Sequence, residues 1–347
     1  MYVKSISLRN FKNYEDSFFE FESIGSLIIG KNGIGKTNLL EAISYFTYGK
    51  SIMNNQDNLL INNAKNEFHL RADFMIDDTS NLSTIGCKAY YNRLKKKNIQ
   101  INNTPLKKIS DLYQHVQMVY SGPDDVYSIF SLPAKRRVFM DMAISKVYPA
   151  YLEYLRRFKE ALYQRNSLLK KTYSTHEKEA WDKTFCSETE NVCEYREKFF
   201  TFYRSHFQNA YKMIVQNEEN VDITLKPNVA TMNILKENEA KERKYQTSLF
   251  GSHLDDFFVT INQKNAQYYA SQGQKRSIVI ALKIALGRII TDINKVKPIM
   301  IFDDTLTELD EERCNSLLEK IVFDHQVFIA SPSMEKYSLV ELPILRL

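Results

Sequence analysis

The sequence predicts an α/β fold that is interrupted by a helical insertion, and three observations support this prediction. A short apolar run, Leu27 to Ile29, leads directly into a cluster of glycines. A second apolar run, Pro298 to Phe302, ends in two aspartates. Between about Val147 and Tyr245 the sequence has no glycine, and charged and aromatic residues recur at helical spacing, whereas strand patterns dominate on both sides.

The order of these patterns predicts a head built from both ends of the chain. We expect residues 1–147 and 248–347 to form one α/β unit, with residues 148–247 inserted as a helical lobe. With 347 residues, 44% of them hydrophobic, the chain can bury a substantial core. Its formal charge of +5 favours contact with phosphate polymers without requiring it.

Each element of the predicted head has its own local signal. Strand-like alternation opens the chain from Tyr2 to Leu8 and returns from Phe18 to Phe21, and strands and turns dominate up to about Tyr120. After the lobe, the predicted elements are a strand near Phe257, a helix from about Gln274, the strand Pro298 to Phe302, a helix from about Asp310 and the strand Val327 to Ala330.

The cysteines and the apolar runs bear on the compartment. The most apolar stretch, Ser277 to Ile290, contains Lys283 and Arg288, so we expect a buried or amphipathic helix and no membrane span. The N-terminus has no signal-peptide pattern, and we expect a cytoplasmic protein. The cysteines form no C-x-x-C pair and are expected to be reduced packing residues; they are Cys87, Cys186, Cys193 and Cys314.

The glycine cluster fits the pattern G-x-x-x-x-G-K-[ST] of a phosphate-binding loop, between a predicted strand and a predicted helix. Four of the chain's ten glycines fall between Gly25 and Gly35. In such a loop, backbone N–H groups surround the phosphates, the lysine adds a point charge and the hydroxyl can ligate Mg²⁺. The predicted nucleotide-binding residues are Gly30, Lys31, Asn32, Gly33, Ile34, Gly35, Lys36, Thr37 and Asn38.

The apolar strand that ends at Asp303 and Asp304 has the form of a buried parallel strand whose carboxyl end faces a phosphate site. We expect Asp303 to hold Mg²⁺ through water or Thr37. Asp304 would orient or deprotonate an attacking water, because phosphoryl transfer needs an aligned nucleophile and neutralised charge. A hydrophobic strand ending in an acid is as often structural, so this interpretation depends on the phosphate loop.

The segment Ser271-Gln272-Gly273-Gln274 stands immediately before a long helix pattern. A helix start of this composition can bind an anion through its N–H groups. The alternative is a simple N-cap, in which Ser271 caps its own helix.

Taken together, these motifs resemble those of ABC-type ATPases. Gly30 to Thr37 matches Walker A, Ser271 to Gln274 the signature motif, Ile299 to Asp304 Walker B, and Glu308 to Asp310 the D-loop. Within that superfamily the chain resembles the RecF family, through blocks spread over almost its whole length. These blocks include Asn38-Leu39-Leu40-Glu41-Ala42-Ile43, Pro133-Ala134-Lys135-Arg136-Arg137, Gln164-Arg165-Asn166, Ser252-His253 and Asp255-Asp256.

The resemblance implies an ABC-type P-loop ATPase head with an inserted, short coiled-coil-like helical lobe, related to the heads of structural-maintenance-of-chromosomes proteins. It implies ATP and Mg²⁺ as ligands, a homodimer that forms head to tail on ATP, and weak ATP hydrolysis with Lys36 and Asp304 as catalytic residues. The signature segment would face the partner's γ-phosphate, and Asp310 would lie in the D-loop. Family members act on duplex DNA and single-strand/duplex junctions with RecR- and RecO-like mediators, in recombinational repair and gap processing.

Three features depart from the family or superfamily pattern. Asp304 stands where many ABC ATPases have glutamate, and its shorter side chain suggests slow hydrolysis. The segment from Tyr120 to Asp125 is one residue longer than its family counterpart, so its Mg²⁺- or water-sensing residue is unassigned. Ser331 follows the final strand, at the switch position where transporters have histidine, and is a further catalytic candidate.

Two regions are candidates for DNA contact. Lys95, Lys96 and Lys97 are expected on an exposed turn between strands, where they either reach phosphates or are simply solvated. Arg136 and Arg137 add charge near the base of the lobe, although acidic neighbours suggest helix-surface pairs. The alternative function is a RecF-like ATPase switch of a defence or other system that signals to a protein partner instead of acting in repair.

Overall fold

The structure, a computed structural model, describes residues 1–53, 56–78, 81–215, 219–307, 309–337 and 341–347. The chain divides into two compact units. The first consists of residues 1–126, 209–218 and 271–347, and the second of residues 127–208 and 219–270. Residues 148–208 and 219–247 of the predicted helical lobe belong to the second unit, and the phosphate loop, the acidic strand and the signature segment belong to the first.

Strands and helices alternate between regions in the way that the sequence predicts. The strands are β1 (Tyr2–Phe11), β2 (Tyr14–Glu20), β3 (Gly25–Ile29), β4 (Glu67–Asp78), β5 (Asn81–Asn92), β6 (Lys97–Ile101), β7 (Thr104–Pro105), β8 (Met118–Ser121), β9 (Val221–Lys226), β10 (Asp256–Ile261), β11 (Lys264–Asn265), β12 (Ile299–Asp303), β13 (Val327–Ser331) and β14 (Ile344–Arg346). The helices are α1 (Lys36–Tyr48), α2 (Leu112–His115), α3 (Asp125–Ser131), α4 (Pro133–Val147), α5 (Tyr151–Leu168), α6 (Thr175–Ile214), α7 (Met232–Glu237), α8 (Glu239–Tyr245), α9 (Ala266–Tyr269), α10 (Gln272–Asn294) and α11 (Glu311–Val322).

A parallel sheet positions the predicted site in the first unit. Its strand order is β14-β3-β13-β12-β8, and every neighbouring pair is parallel. All residues of β3, β12 and β13 are buried, which is typical of parallel strands covered on both faces. Because parallel strands end at the same edge, the residues that follow β3, β12, β13 and β8 come together there.

An antiparallel sheet with the strand order β2-β1-β4-β5-β6-β7 forms the rest of the first unit's β-structure. Along β1, Val3, Ile6 and Leu8 are fully buried, so the alternation changes phase within the strand. The pairing of β1 with β4 shifts register between Val3 and Ser5, which is a β-bulge that moves Ile6 and Leu8 onto the buried face. The bulge therefore explains why simple alternation fails in this strand.

In the second unit, α5 and α6 pack antiparallel through aromatic side chains. The rings of Tyr154 and Tyr195 are 5.4 Å apart, and those of Phe158 and Phe185 are 5.5 Å apart. The sequence prediction of an all-helical lobe was incomplete, because β9 lies within it and pairs with β10 in a small sheet of order β11-β10-β9. Val221 and Ile223 alternate with exposed or half-buried residues there, the period of a strand.

Buried ion pairs hold the helices of the second unit together. The Arg165 side chain is 1% exposed and donates to Asp182 at 2.7 Å, to Glu242 at 2.5 Å and to Ser248 at 2.8 Å. Asn166, the next residue, accepts from the N–H and hydroxyl of Ser248. The Gln164-Arg165-Asn166 block that resembles the RecF family therefore supports the packing of this unit.

We expect Arg165→Ala to lower the free energy of unfolding by about 3–5 kcal/mol, because it leaves two buried carboxylates without their cation. Arg156→Ala is the matched control: its side chain is 66% exposed and pairs with Glu153 on the helix surface, so a loss below about 1 kcal/mol is expected. Denaturant unfolding followed by circular dichroism measures both. Equal losses in the two variants would contradict a central structural role for Arg165.

Within the described residues, none of the helices combines the length and the apolar character needed to cross a membrane. The Ser277 to Ile290 stretch lies in α10, where most of its side chains are buried within the protein.

Candidate nucleotide-binding site

The phosphate loop connects the end of β3 to the start of α1, as the sequence predicts. Gly33 and Gly35 have φ angles of +83° and +124°, which side-chain-bearing residues rarely adopt. At Gly35 a Cβ atom would also lie 2.6 Å from Nδ2 of Asn13. These two glycines are therefore required by the backbone of the loop, independently of any ligand.

Lys36 is the first residue of α1, and its side chain turns back over the loop. Its ammonium donates to the carbonyl oxygens of Gly30 at 2.7 Å and Lys31 at 3.2 Å. The N-cap residue, Gly35, has no side chain that could accept from the first N–H groups of α1. A buried cation and a helix N-terminus thus meet in one place, which is the arrangement that binds phosphate.

Asp303 connects the two halves of the site. Its side chain is 1% exposed, and Oδ1 accepts a hydrogen bond from the Thr37 hydroxyl at 3.1 Å. Oδ2 accepts from the Tyr120 hydroxyl at 2.8 Å. Burial raises the pKa of Asp303, and the two hydrogen bonds oppose that shift. The hydroxyl and the carboxylate that the sequence assigns to Mg²⁺ are therefore in direct contact.

Asp304 follows the same strand but is held differently. Its φ angle is +54°, and its N–H donates to the Ala330 carbonyl on β13 at 3.2 Å. Oδ1 is buried and has no hydrogen-bond partner among the described residues. Burial raises the pKa of Asp304, whereas the charge of Lys36 lowers it. The side chain thus offers an unsatisfied carboxylate oxygen, which fits a group that binds a water molecule.

Tyr120 is a site residue that the sequence analysis missed. It lies on β8 beside Ile301 of β12, and this pairing directs its hydroxyl to Asp303. Burial and the neighbouring Asp303 carboxylate raise the pKa of Tyr120 well above its usual value, so the hydroxyl keeps its proton and donates. Lys283 of α10 donates to the Tyr120 carbonyl at 2.7 Å. The 183-residue separation between Tyr120 and Asp303 left no local signal.

The turn between β1 and β2 also contacts the phosphate loop, and this too was missed. Asn13 Nδ2 donates to the Ile34 carbonyl at 2.9 Å, and Asn13 Oδ1 accepts from Asn38 at 2.7 Å. The Tyr14 hydroxyl donates to the Gly35 carbonyl at 3.1 Å. These bonds fix the loop from outside, at carbonyl oxygens that do not compete with its N–H groups for a phosphate.

The signature segment begins α10 and is exposed. The Ser271 hydroxyl accepts from the Gln274 N–H at 3.2 Å, and the Gln274 side chain accepts from the Ser271 N–H at 2.8 Å. This is a capping box, so the N-cap interpretation is confirmed. Among the described residues, no heavy atom lies within 4 Å of a Cβ placed on Gly273. The fold of this chain therefore does not require glycine at that position.

Other predicted site residues have local partners. Asp310 caps α11 by accepting from the Arg313 N–H at 2.9 Å, and Lys336 donates to the Leu309 carbonyl at 3.0 Å, which braces the D-loop. Glu308 lies outside the described residues. Ser331 ends β13, beside the strand of Asp303, and its hydroxyl donates to the Ser333 carbonyl at 2.8 Å.

The candidate DNA-contacting residues fall into two groups. Lys95 and Lys96 are exposed. Lys97 instead pairs with Asp57 at 2.6 Å. Arg136 binds both carboxylate oxygens of Asp256, at 2.7 Å and 2.6 Å, so its charge is used within the second unit. Arg137 is half-buried and lies near the Asp255 carbonyl. The acids that pair with Lys97 and Arg136 are remote in sequence, which is why the sequence left both free.

A phosphate loop, a carboxylate pair and a signature helix on a parallel sheet define the ATP-binding head of the class that includes RecF and SMC proteins. The sequence profile of the RecF/RecN/SMC N-terminal domain matches residues 2–342. The DNA replication and repair protein RecF of Lachnoclostridium phytofermentans is 30% identical over 344 residues, covering 97% of this chain and 94% of that protein. RecF of Leptospira biflexa is 30% identical over 340 residues, covering 96% and 92%. The chain belongs to the RecF family, and it is an ATP-binding ATPase of that family.

Solved structures agree with this assignment. The structure described as the recombination mediator protein RecF-ATP in the RecFOR pathway has a TM-score of 0.87 and 26% identity, covering 96% of this chain and 92% of that one. An Smc head bound to the C-terminal winged-helix domain of ScpA has a TM-score of 0.60 and 14% identity, which indicates a shared fold alone. The predicted α/β class, an ATPase head of the RecF and SMC type, is confirmed.

Proposed function

We propose that this protein acts in recombinational repair and gap processing, as an ATP-dependent DNA-binding protein that dimerises head to tail on ATP and hydrolyses it slowly. The observation that best supports this is the contact of Thr37 with Asp303, which unites the two halves of an ATP site. The comparisons add relatives named as DNA replication and repair proteins over almost the whole chain. Nothing in them favours a defence switch.

In the proposed mechanism, the loop from Gly30 to Asn38 surrounds the phosphates with backbone N–H groups, and the Lys36 ammonium moves from loop carbonyls to phosphate oxygens. Asp304 orients the attacking water and accepts its proton through the unpartnered Oδ1. Aspartate reaches less far than the glutamate of many ABC ATPases, which fits slow turnover. Ser331 is a further candidate at the same edge of the sheet.

The Thr37 hydroxyl and the Asp303 carboxylate are the residues that would hold Mg²⁺, and oxygen ligands of this kind suit that ion. Bound there, Mg²⁺ would neutralise charge that develops on the phosphates during transfer. Tyr120 would act as a positioning residue, because its hydroxyl fixes the orientation of the Asp303 carboxylate.

We expect Tyr120→Phe to raise the Mg²⁺ concentration needed for half-maximal binding of a fluorescent ATP analogue by about 10-fold, because the metal-holding carboxylate loses its fixed orientation. Titration of Mg²⁺ at constant nucleotide measures this without turnover. Tyr127→Phe is the control, since Tyr127 is 61% exposed. An unchanged Mg²⁺ dependence in Tyr120→Phe would remove Tyr120 from this role.

A partner chain gives the signature segment its use. The first turn of α10 has N–H groups without intrahelical acceptors, and Ser271, Gln272 and Gly273 are all exposed. The glycine at 273 has no intramolecular reason, whereas close approach of a partner's γ-phosphate requires a residue without a side chain. In a two-fold pairing each signature segment would complete the other chain's site, and Asp310 of the D-loop would lie at the same interface.

The DNA role and its partners follow from the relatives. The solved RecF-ATP structure is described as part of the RecFOR pathway. We propose that this chain likewise binds duplex DNA and single-strand/duplex junctions, and that RecR- and RecO-like mediators are its protein partners.

ATP turnover and molecular mass, measured with and without gapped duplex DNA at fixed salt, test the proposed function. We expect ATP to double the 40.7 kDa mass and DNA to stimulate turnover. A dimer that forms with ATP but is indifferent to DNA would favour the alternative, a switch that signals to a protein partner. A chain that stays monomeric with ATP would contradict the dimer.

A further inference from the structure

The segment from Asn92 to Ser110 concentrates positive charge. It contains six basic residues and no acidic one, so its formal charge of +6 exceeds the +5 of the whole chain. The rest of the chain is therefore close to neutral, and long-range attraction of an anionic partner originates mainly here. The six residues are Arg93, Lys95, Lys96, Lys97, Lys107 and Lys108.

The start of this segment is a hairpin turn that is braced against a second turn. The Arg93 guanidinium donates to the carbonyls of Lys65 at 3.0 Å and Asn63 at 3.3 Å, and the Arg93 N–H donates to the Asn66 carbonyl at 2.9 Å. Neutral carbonyl acceptors leave the charge of Arg93 uncompensated. The two turns, residues 62–66 and 92–96, are thus held as one rigid support.

Asparagine side chains fix each turn internally. Asn92 Oδ1 accepts from the N–H groups of Leu94 at 3.1 Å and Lys96 at 3.0 Å. Asn62 Oδ1 accepts from the Ala64 N–H at 3.2 Å. Because the backbone is ordered beforehand, a ligand that binds here pays little entropy for ordering it. We name the support and its basic residues Lys65, Arg93, Lys95 and Lys96 the cationic hairpin surface.

The nearby carboxylates are committed elsewhere. Asp57 pairs with Lys97, which removes that lysine from the surface. Glu67 accepts from the Tyr90 hydroxyl at 3.0 Å and contacts His69 at 3.2 Å. The four basic side chains of the cationic hairpin surface are all exposed, and within the described residues none of them has a carboxylate partner at ion-pair distance.

We propose that the cationic hairpin surface binds the phosphate backbone of duplex DNA. Duplex DNA carries one negative charge per roughly 1.7 Å of its axis, so a rigid group of exposed cations neutralises several phosphates together. Flexible lysines on a backbone support contact phosphates without reading bases, which gives affinity without sequence preference. This inference rests on the proposed DNA-binding function and assigns it to particular residues.

The test is the salt dependence of duplex binding for the full chain with ATP present, measured by fluorescence anisotropy. Lys65→Gln, Lys95→Gln and Lys96→Gln are combined in one variant, with Arg93 kept because it braces the turns. Each lost phosphate contact lowers the slope of log affinity against log salt by about 0.9, so we expect a decrease of about 2.7. The thermal unfolding midpoint should stay at the wild-type value, since the three side chains are exposed.

A matched variant, with Lys236, Lys241 and Lys244 changed to Gln, removes the same charge from exposed positions in the second unit. Its slope is expected to equal that of the wild type, and an equal loss in both variants would overturn the proposed surface in favour of net charge. A wild-type slope in the hairpin variant, with weaker binding to polyglutamate, would instead assign the surface to an acidic protein and leave DNA binding itself standing. A wild-type chain that binds no duplex at any salt would overturn both the surface and the proposed function.

Discussion

Lys36→Ala is expected to abolish ATP-dependent dimerisation and to weaken ATP binding by roughly 100-fold. The ammonium is 5% exposed and lies over the phosphate loop, where it would donate charged hydrogen bonds to phosphate oxygens. Such bonds contribute up to about 3 kcal/mol, and each 1.4 kcal/mol is about tenfold in affinity. Without bound ATP, the proposed contact between the two chains has no bridging group. Mass photometry and nucleotide titration measure the two effects.

The control for this variant is Lys50→Ala. Lys50 is exposed just beyond the C-terminal end of the same helix, α1, so it removes the same charge at a distance from the loop. It should dimerise with ATP as the wild type does. A Lys36→Ala protein that still dimerises with ATP would sink the claim that Lys36 anchors the bridging phosphate.

Asp304→Asn is expected to spare ATP-dependent dimerisation but to slow hydrolysis by about 100-fold or more, the usual contribution of a positioned base. Asparagine has nearly the same shape and tolerates the +54° φ angle of this position, so the backbone should not change. It loses only the charge and the second acceptor oxygen. Single-turnover hydrolysis measured on the preformed dimer separates the chemical step from assembly.

Asp324→Asn serves as the comparison, because Asp324 is 57% exposed and pairs only with Lys297 in the described structure. Its hydrolysis rate should match that of the wild type. If Asp304→Asn turned over ATP at the wild-type rate, Asp304 would lose its catalytic role and Ser331 would become the next candidate.

The sequence predicted most of the site because its main parts are local. The phosphate loop is one continuous segment, and its glycines match the positive φ angles that the structure requires at Gly33 and Gly35. Asp303 and Asp304 end a continuous apolar strand, and the pairing of Asp303 with Thr37 follows from parallel strands ending at one edge. Short-range patterns of this kind are what sequence reading detects.

The parts that were missed depend on contacts between distant segments. Tyr120 reaches Asp303, and Asn13 reaches the phosphate loop, only because sheet pairing brings separate strands together. The same cause explains Lys97 and Arg136, whose acidic partners lie 40 and 120 residues away. The strand β9 was read as helix because the charged surroundings obscured a short alternation. Cross-strand partners follow from register, which the sequence does not specify locally.

The measurement that tests the central claim most directly is ATP turnover by a mixture of two inactive variants. Lys36→Ala disables the phosphate loop and keeps the signature segment, whereas Gly273→Arg fills the open position at the start of α10 and keeps the loop. If each site combines one chain's loop with the other's signature segment, mixed dimers contain one intact site. We then expect an equimolar mixture to recover about a quarter of the wild-type rate, since half of the dimers are mixed and each has one of two sites. A mixture as inactive as the separate variants would contradict a site shared between two chains.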